Sequence, residues 1–331
     1  MLNTILWNNE DEIGSLSSSL IQSNCIIEGG LLGALDQDPI FLNASNPAGT
    51  DSTFITADDG LALQHCSPAI DNGAFVIFST DILHNEREYN GVPDIGAYEH
   101  QGEILSTLYV NVNASTNGDG FSWATAKNNL QEAIDVAKFC NLVIWVQQGT
   151  YYPTGHYDSN NNSTVENRES TFYINKNAKI YGGFNGTETL LSQRADTTGS
   201  TTILSGDIGT PGDASDNAYH VLFIDGTQGA IDDQTVLDGF SILSGATESS
   251  GSSTEMRGAG LYLNGVGGGV CSPVIQNCTF SNHTAGDGAV YIGGALGGTA
   301  NPQFINCDFT MNMAVQGGAI FTDATSNGSC D

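Results

Sequence analysis

The chain has 331 residues, of which 41 are glycine, 39% are hydrophobic and only 14% are charged. This composition excludes an ordinary helical protein and a highly charged disordered one, and it is typical of many short strands joined by tight turns. With 8 Lys and Arg against 37 Asp and Glu the formal charge is -29, which excludes nucleic-acid binding because that needs clustered cations.

The start of the chain and its cysteines narrow the class further. Residues 1–7 lack a basic segment and a cleavage site, so we expect an internal piece of a longer, exported product. No apolar run approaches the roughly 18 residues that cross a bilayer, so no membrane span is expected. The seven cysteines include no CxxC pair, which argues against zinc ribbons, and Cys271 and Cys278 remain a candidate local disulfide.

Residues 1–102 are mostly irregular and rich in turns. Residues 3–9 and 22–27 each resemble one strand followed by a bend. We interpret residues 1–102 as the C-terminal end and closure of a preceding β-helix unit, with a polar joint at residues 99–107. Residues 103–331 are then the N-terminal cap and coils of a second unit, which we expect to be truncated.

One amphipathic helix is predicted near residues 125–139. Leu130, Ile134 and Ala137 give it an apolar face at the spacing i, i+4, i+7. A helix ahead of stacked coils would cover their open apolar end, where bare strand edges invite aggregation.

Apolar segments typical of strands follow the helix. They occupy residues 142–146, 171–174, 179–184, 201–204 and 220–224. A loose copy of the later repeat occupies residues 236–242, and a longer insertion at residues 246–257 follows it.

An internal repeat is the strongest signal in the chain. Residues 273–280 and 302–309 share Pro, Asn, Cys and Phe at an offset of 29 residues. Residues 260–262, 289–291 and 319–321 recur at offsets of 29 and 30. A fixed period of this length predicts stacked structural repeats.

Within one repeat, alternation predicts which side chains point inward. Ile275, Cys278 and Phe280 are expected inside, and Asn277 interrupts the alternation between them. Such an interruption predicts a sharp bend with positive φ, which Asn tolerates well.

Stacking these repeats predicts columns of like side chains about 4.8 Å apart. A β-sandwich of hairpins would instead give nearly strict alternation and Asn-Gly turns. We therefore predict an all-β, right-handed parallel β-helix, a pectate-lyase-like solenoid. The predicted columns are Asn277 over Asn306, Cys278 over Cys307 and Phe280 over Phe309.

Two families resemble these patterns. Phe-Thr-Met-Asn at residues 309–312, followed by Gly-Gly-Ala-Ile at 317–320, resembles the FxxN and GGAI repeats of chlamydial polymorphic-membrane-protein-like adhesins. The preceding copy departs from this pattern, because Asp287 replaces the first Gly and Asn282 comes one place early.

Longer blocks resemble right-handed β-helix surface proteins of the Bacteroidetes type. These blocks are residues 108–111, 120–123, 149–154, 180–189 and 203–208, and residues 94–99 (Asp-Ile-Gly-Ala-Tyr-Glu) resemble their closing motif. The resemblance implies export, by a sorting signal beyond Asp331, and it implies no defined activity.

The same fold also carries polysaccharide lyases and hydrolases, so a catalytic function is an alternative that the residues must support. A lyase needs an Arg or Lys base and cations or Ca²⁺ to neutralise uronates. Lys127 and Lys138 are expected to be solvated on the helix, and Arg168 and Arg194 to pair with carboxylates. No catalytic residue is assigned.

Acidic residues cluster at residues 207–225. Asp207, Asp213 and Asp216 are a candidate calcium site, since oxygen-rich loops with Gly suit that ion. A polar loop that only joins strands, or the paired carboxylates of a hydrolase, remain alternatives. No other cofactor is expected, because the six His are scattered and no HExxH occurs.

Four aromatic residues allow two interpretations. Trp123, Tyr151, Tyr152 and Tyr157 would form either an exposed platform for sugar rings or the filling at the end of a β-helix.

The leading functional hypothesis is an extracellular or cell-surface structural or adhesive protein, a non-catalytic rod that holds binding tips away from the envelope. Its partners would be surface glycans or other cell-surface proteins. A carbohydrate-binding or polysaccharide-degrading module and a fibre segment that associates head to tail are the alternatives.

Overall fold

The computed structural model describes residues 1–9, 22–30, 33–102, 106–115, 117–140, 142–157, 167–247 and 254–330. The chain divides into two compact units, Met1–Leu105 and Ser106–Asp331. The predicted joint at residues 99–107 includes residues 103–105, which lie outside the described residues. The interpretation of the first unit as the closure of a preceding β-helix stays a prediction.

The protein is all-β with parallel sheets, which confirms the predicted class at that level. Among the described residues one α-helix occurs, α1 (Leu130–Cys140), between the third and fourth strands. The strands are β1 Ile5–Leu6, β2 Ile26–Ile27, β3 Thr107–Val110, β4 Val143–Gln147, β5 Gly149–Tyr151, β6 Gly155–His156, β7 Ser170–Ile174, β8 Lys179–Phe184, β9 Thr202–Ser205, β10 Leu222–Asp225, β11 Val236–Asp238, β12 Ser241–Leu243, β13 Leu261–Asn264, β14 Val274–Gln276, β15 Thr279–Ser281, β16 Thr284–Asp287, β17 Val290–Gly293, β18 Gln303–Ile305, β19 Asp308–Thr310, β20 Met313–Gln316 and β21 Ile320–Asp323.

The first unit has little regular structure beyond one short strand pair. β1 and β2 are parallel, and each follows an asparagine in the left-handed region, Asn3 (φ 47°) and Asn24 (φ 50°). Asparagine adopts this conformation at low cost, so the predicted strand-and-bend fragments have a physical basis. Four buried residues form the small core of this unit: Ile26, Leu63, Ala69 and Ile95.

Three larger sheets build the second unit. Their strand orders are β3-β4-β8-β11-β14-β18, β5-β9-β12-β15-β19 and β6-β7-β10-β13-β17-β21, and β16 pairs with β20 in a fourth. All these neighbours are parallel except β6 and β7, which are antiparallel. Later passages of the chain therefore visit the sheets in a fixed order and add one strand to each.

The register between the last passages matches the sequence repeat. Thr279 lies opposite Asp308, so β15 and β19 pair at the predicted offset of 29 residues. Val290 lies opposite Ile320, at the predicted offset of 30. The predicted offsets are thus confirmed as strand register.

A continuous apolar core fills the second unit. Ile275, Cys278 and Phe280 are at most 1% exposed, as the alternation predicted, and they belong to the same cluster as the apolar face of α1. That face consists of Leu130, Ala133, Ile134 and Ala137.

The helix begins later than predicted, at Leu130 rather than near residue 125. Lys127 lies in an extended segment that exchanges backbone hydrogen bonds with β3, because Lys127 N–H donates to Tyr109 O (2.9 Å). The Asn129 carboxamide oxygen then accepts from the N–H groups of Gln131 (2.9 Å) and Glu132 (3.3 Å). Asn129 is therefore the N-cap of α1. Ahead of it, Lys127 is held by strand pairing, and Thr125 ends a short 3-10 helix, Trp123–Thr125, that Ser122 caps.

No helix in the described parts of the chain is both long and apolar enough to cross a membrane.

Candidate functional site

A column of left-handed bends joins the first and second strands of successive repeats. Gly239 (φ 83°), Asn277 (φ 52°) and Asn306 (φ 52°) occupy equivalent positions. Asn306 Nδ2 donates to Asn277 Oδ1 at 3.3 Å, and Asn277 Nδ2 donates to Asp238 Oδ1 at 2.8 Å. The predicted positive φ of Asn277 is confirmed, and the two amides are in contact along the column.

The column begins at a buried ion pair. Asp238 is 3% exposed, and its Oδ2 accepts from Arg194 Nη2 at 2.9 Å and from Gln276 Nε2 at 2.9 Å. Arg194 Nη1 also reaches two backbone carbonyl oxygens, of Gly182 (3.4 Å) and Asp238 (3.3 Å). Arg194 thus pairs with a carboxylate, as the sequence predicted, and its charge is neutralised where β8 and β11 meet.

Cysteines follow the bend residues in the same column. The Cys278 and Cys307 thiols each contact the backbone carbonyl oxygen two residues earlier, at 3.2 and 3.5 Å, and Cys25 in the first unit does the same at 3.3 Å. Burial raises the pKa of the Cys278 thiol and of the Cys307 thiol, so both remain protonated and unreactive. Cys271 and Cys278 are both free, so the candidate disulfide between them is wrong.

Phe280 and Phe309 form the third predicted contact. Their rings are stacked, with centroids 5.1 Å apart and planes at 7°. Phe280 is fully buried, whereas Phe309 in the last described repeat is only partly buried. The aromatic column therefore contributes packing on one side of the last repeat.

A second bend, between β15 and β16, carries a polar column that the sequence did not reveal. β16 pairs with β20 so that His283 lies at the position of Asn312, and Asn282 (φ 59°) at the position of Met311 (φ 53°). Asn282 is therefore the bend residue, not a displaced copy of Asn312.

His283 and Asn312 make the same two hydrogen bonds to the preceding repeat. His283 Nε2 donates to Ile242 O (2.9 Å), and its Nδ1 accepts from Gly245 N–H (3.0 Å). Asn312 Nδ2 donates to Phe280 O (2.9 Å), and its Oδ1 accepts from His283 N–H (3.1 Å). Burial lowers the pKa of His283 to about 4, so the ring stays neutral and can both donate and accept.

An aromatic column also covers the outer face of the third sheet. Phe223, Tyr262, Tyr291 and Phe321 follow one another with ring centroids 4.7, 4.7 and 6.1 Å apart. Three of these aromatic residues recur at the offsets of 29 and 30 residues, so the sequence repeat contained this column. It was not predicted, because strict alternation of inward and outward side chains does not predict a buried outer face.

Arg257 covers part of this column. Its guanidinium lies 4.9 Å from the centroid of the Tyr291 ring and donates to Tyr291 Oη at 2.9 Å. Asp287 and Asp323 lie 3.5 and 3.7 Å from the same guanidinium. The outer tyrosines are thus used in packing, and Tyr291 also in a hydrogen bond and a cation–π contact with Arg257.

The candidate calcium ligands bind their own loop. An Asp207 carboxylate oxygen accepts from the N–H of Gly212 (3.0 Å), and the carboxylates of Asp213 and Asp216 accept from other amides of residues 210–215. Among the described residues no group of three or more His, Cys, Asp or Glu is arranged to hold a metal. These contacts are those of a polar loop that joins strands, and calcium binding stays a prediction.

The four candidate platform aromatics do not share one surface. Tyr151 (2% exposed) lies in the core and Tyr157 (5% exposed) in the outer aromatic cluster, whereas Tyr152 is 52% exposed. Trp123 Nε1 donates to the carbonyl of Glu188 at 3.0 Å, which fixes the indole. The burial of Tyr151 agrees with the end-filling interpretation.

The remaining candidate bases contact the protein's own groups. Arg168 donates to Asn217 O (2.9 Å) and Ala246 O (2.6 Å), in addition to its other interactions, rather than reaching outward. Lys138 pairs with Asp135 at 2.9 Å on the helix surface. The prediction that Lys127 is solvated on the helix is wrong, because Lys127 precedes α1, is half-buried and donates from Nζ to Gly118 O at 2.9 Å. Each of these cations has a structural use.

Comparison with known proteins adds no relative, because no family model, no curated protein and no solved structure matches this chain. The resemblance to Bacteroidetes-type surface proteins and to chlamydial adhesin repeats stays a prediction.

Proposed function

We propose that the chain is a segment of an extracellular structural or adhesive repeat protein, whose second unit is a right-handed parallel β-helix. The observation that carries the proposal is the register of the three sheets, in which consecutive passages of the chain pair parallel at the sequence offset. The right hand follows from the strong preference of parallel crossover connections for that hand.

The use of the polar side chains supports a structural role. The repeated polar groups Asn277, His283, Asn306 and Asn312 all hydrogen-bond to a neighbouring repeat. Such contacts add stability per repeat, because each repeat of a solenoid depends mainly on its neighbours. A chain whose recurring polar residues form hydrogen bonds between stacked repeats is suited to act as a stiff spacer.

The charge and one cysteine support an exterior location. A formal charge of -29 keeps a long surface soluble and self-repelling in a salty exterior, where screening is strong. Cys66 is disulfide-bonded, and disulfides persist in oxidising compartments. The partners would be surface glycans or other cell-surface proteins, and head-to-tail self-association is the second candidate.

Location is tested by tagging the gene product in the cells that make it and treating intact cells with protease. Release of tagged fragments from intact cells is expected, with an internal protein as the control. Complete protection until lysis would contradict the proposal.

The enzymatic alternative is tested directly. Purified chain is incubated with acidic and neutral polysaccharides, with and without Ca²⁺, and new reducing ends and ultraviolet-absorbing unsaturated ends are measured. We expect none above a heat-denatured control, whereas turnover would favour the lyase or hydrolase. Light scattering against concentration separates a soluble spacer from a fibre segment.

A further inference from the structure

Residues 94–99, which resemble a closing motif in sequence, form a buried polar network in the first unit. Asp94 (0% exposed) and Glu99 (5%) lie at its two ends, and Asp81 (7%) and Arg87 (6%) complete it. We call these residues, 94–99 with Asp81 and Arg87, the closing latch. Three carboxyl groups and a single guanidinium therefore share one buried network.

Two of the three carboxyl groups are well supplied with donors. Asp94 accepts from the N–H groups of Asp71 (2.8 Å) and His100 (2.7 Å). Asp81 accepts from the N–H of Glu99 (3.0 Å) and from two turn amides at 2.9 and 2.8 Å. Amide donors of this kind stabilise the ionised form of a carboxyl group.

Glu99 has the fewest hydrogen-bond donors of the three carboxyl groups. Its Oε2 accepts from the N–H of Asp94 (2.9 Å) and lies 3.8 Å from Arg87 Nη1, and its Oε1 has no partner within hydrogen-bond distance among the described residues. Burial raises the pKa of Glu99, and the backbone of Tyr89 lowers it, as the smallest of the influences on that group. The Arg87 guanidinium is shared, because Nη2 donates to the backbone oxygens of Asp94 (3.1 Å) and Gly96 (2.6 Å). A third negative charge in this network would be buried without adequate compensation.

We propose that the closing latch holds a proton on Glu99 in mildly acidic solution and becomes less stable as Glu99 ionises, which makes the local stability of the first unit pH-dependent. The charged and titratable groups that face Glu99 are Arg87 and Asp94 directly, Asp81 through the backbone, and His100 and Asp71 on the far side of Asp94.

The direction of the effect follows from linkage. Burial raises the pKa of Glu99 from 4.5 to about 7, and it raises the pKa of Asp94 as well. Because the folded pKa of Glu99 exceeds the unfolded value, its contribution is fully present below about pH 4.5. The contribution is lost as the pH rises to about 7 and stays level above that.

The first test is a carboxyl-carbon NMR titration of the full chain labelled with ¹³C at the glutamate side-chain carboxyl. The signal that disappears in Glu99→Gln belongs to Glu99. A midpoint near 7 is expected, whereas an ordinary midpoint near 4.5 overturns the proposal. This measurement needs only wild-type protein once the signal is assigned, by elimination from other variants if Glu99→Gln does not fold.

The second test measures hydrogen exchange of peptides that cover residues 92–101, corrected for intrinsic rates. Protection in the wild type should fall by up to about tenfold per pH unit between about pH 4.5 and about pH 7. It should fall much less in Glu99→Gln, where Asp94 still titrates, and fall normally in Glu88→Gln, which removes a neighbouring exposed carboxylate. The same pH dependence in all three proteins would overturn the proposal.

Discussion

Two equivalent positions, His283 and Asn312, show how single residues satisfy the backbone at a bend. Each donates to a carbonyl of the preceding repeat and accepts from an amide of it. An imidazole and a carboxamide are interchangeable here, because both carry a donor and an acceptor when neutral. The bend therefore requires a hydrogen-bonding pattern more than a particular residue type.

Replacement of His283 tests this requirement. His283→Ala leaves a buried carbonyl and a buried amide without partners, so the unfolding free energy should fall by about 2–5 kcal/mol. His283→Asn should lose less than half of that, because the next repeat already uses Asn. Urea unfolding is the measurement, and the exposed His156→Ala, expected within about 0.5 kcal/mol of the wild type, is the control. Equal losses in both His283 variants would contradict this interpretation.

The left-handed bend at Asn277 makes a second residue-scale prediction. Asn277→Gly keeps the conformation (φ 52°) but loses the bond to Asp238, and should cost about 1 kcal/mol. Asn277→Ala adds the strain of a left-handed alanine, about 1–2 kcal/mol more, and Asn277→Val should be worse. Chemical unfolding of the series, with the exposed Gln303→Ala as reference, measures the order. The prediction fails if the glycine variant is the least stable.

At the scale of elements, the sequence predicted the register of the strands that repeat and missed the start of the helix, which does not repeat. The shared Pro, Asn, Cys and Phe fixed the register of β14 and β15 on β18 and β19, because stacked columns demand like residues. The start of α1 was missed, because the pairing of Lys127 with β3 is a long-range contact that local periodicity does not encode.

The candidate site divides in the same way. The amide, thiol and aromatic contacts of the two repeats followed from identity at one offset. The polar position shared by His283 and Asn312 did not, since the two residues differ and Asn282, which aligns with Met311, looked like a displaced copy of Asn312. The ion pair of Arg194 with Asp238 was expected only as a kind of contact, because 44 residues separate the partners in sequence.

Two ion pairs of the second unit should differ sharply in their contributions. Arg194 and Asp238 are 8% and 4% exposed, so Arg194→Met leaves a buried carboxylate unpaired and should cost about 3–5 kcal/mol. Lys138 and Asp135 are 25% and 49% exposed, and Lys138→Met should cost less than about 1 kcal/mol. Denaturant unfolding measures the loss of stability in each variant. Similar losses in the two variants would contradict the expectation that the buried ion pair contributes more than the exposed one.

At the scale of the whole molecule, buried titratable groups in the two units make stability depend on pH in opposite directions. Burial lowers the pKa of both His220 and His283 in the second unit to about 4, while it raises the pKa of Glu99 in the first unit. A histidine whose folded pKa lies below the unfolded 6.5 contributes stability that is fully present above 6.5 and is lost as the pH falls towards 4.

Acidification from about pH 6.5 to about pH 4.5 should therefore weaken the second unit. In the first unit Glu99 acts in the opposite direction and strengthens the fold, although His100, whose pKa burial also lowers, offsets part of this gain. The expected slope in the second unit is about 1.4 kcal/mol per pH unit for each histidine. Hydrogen exchange resolved by peptide measures both units in one sample, and His283→Asn should halve the slope of the second. A second unit that does not weaken on acidification would contradict the assignment of neutral buried histidines.

The matching register of β14 with β18 and of β15 with β19 has a genetic consequence. Each of these repeats has nearly the same surface on the side that contacts the following repeat as the preceding repeat has on the side that contacts it. Unequal recombination that duplicates or deletes a block of 29 codons in the gene would preserve these contacts. Related genes can therefore differ in length by whole blocks without the need for a new interface between repeats.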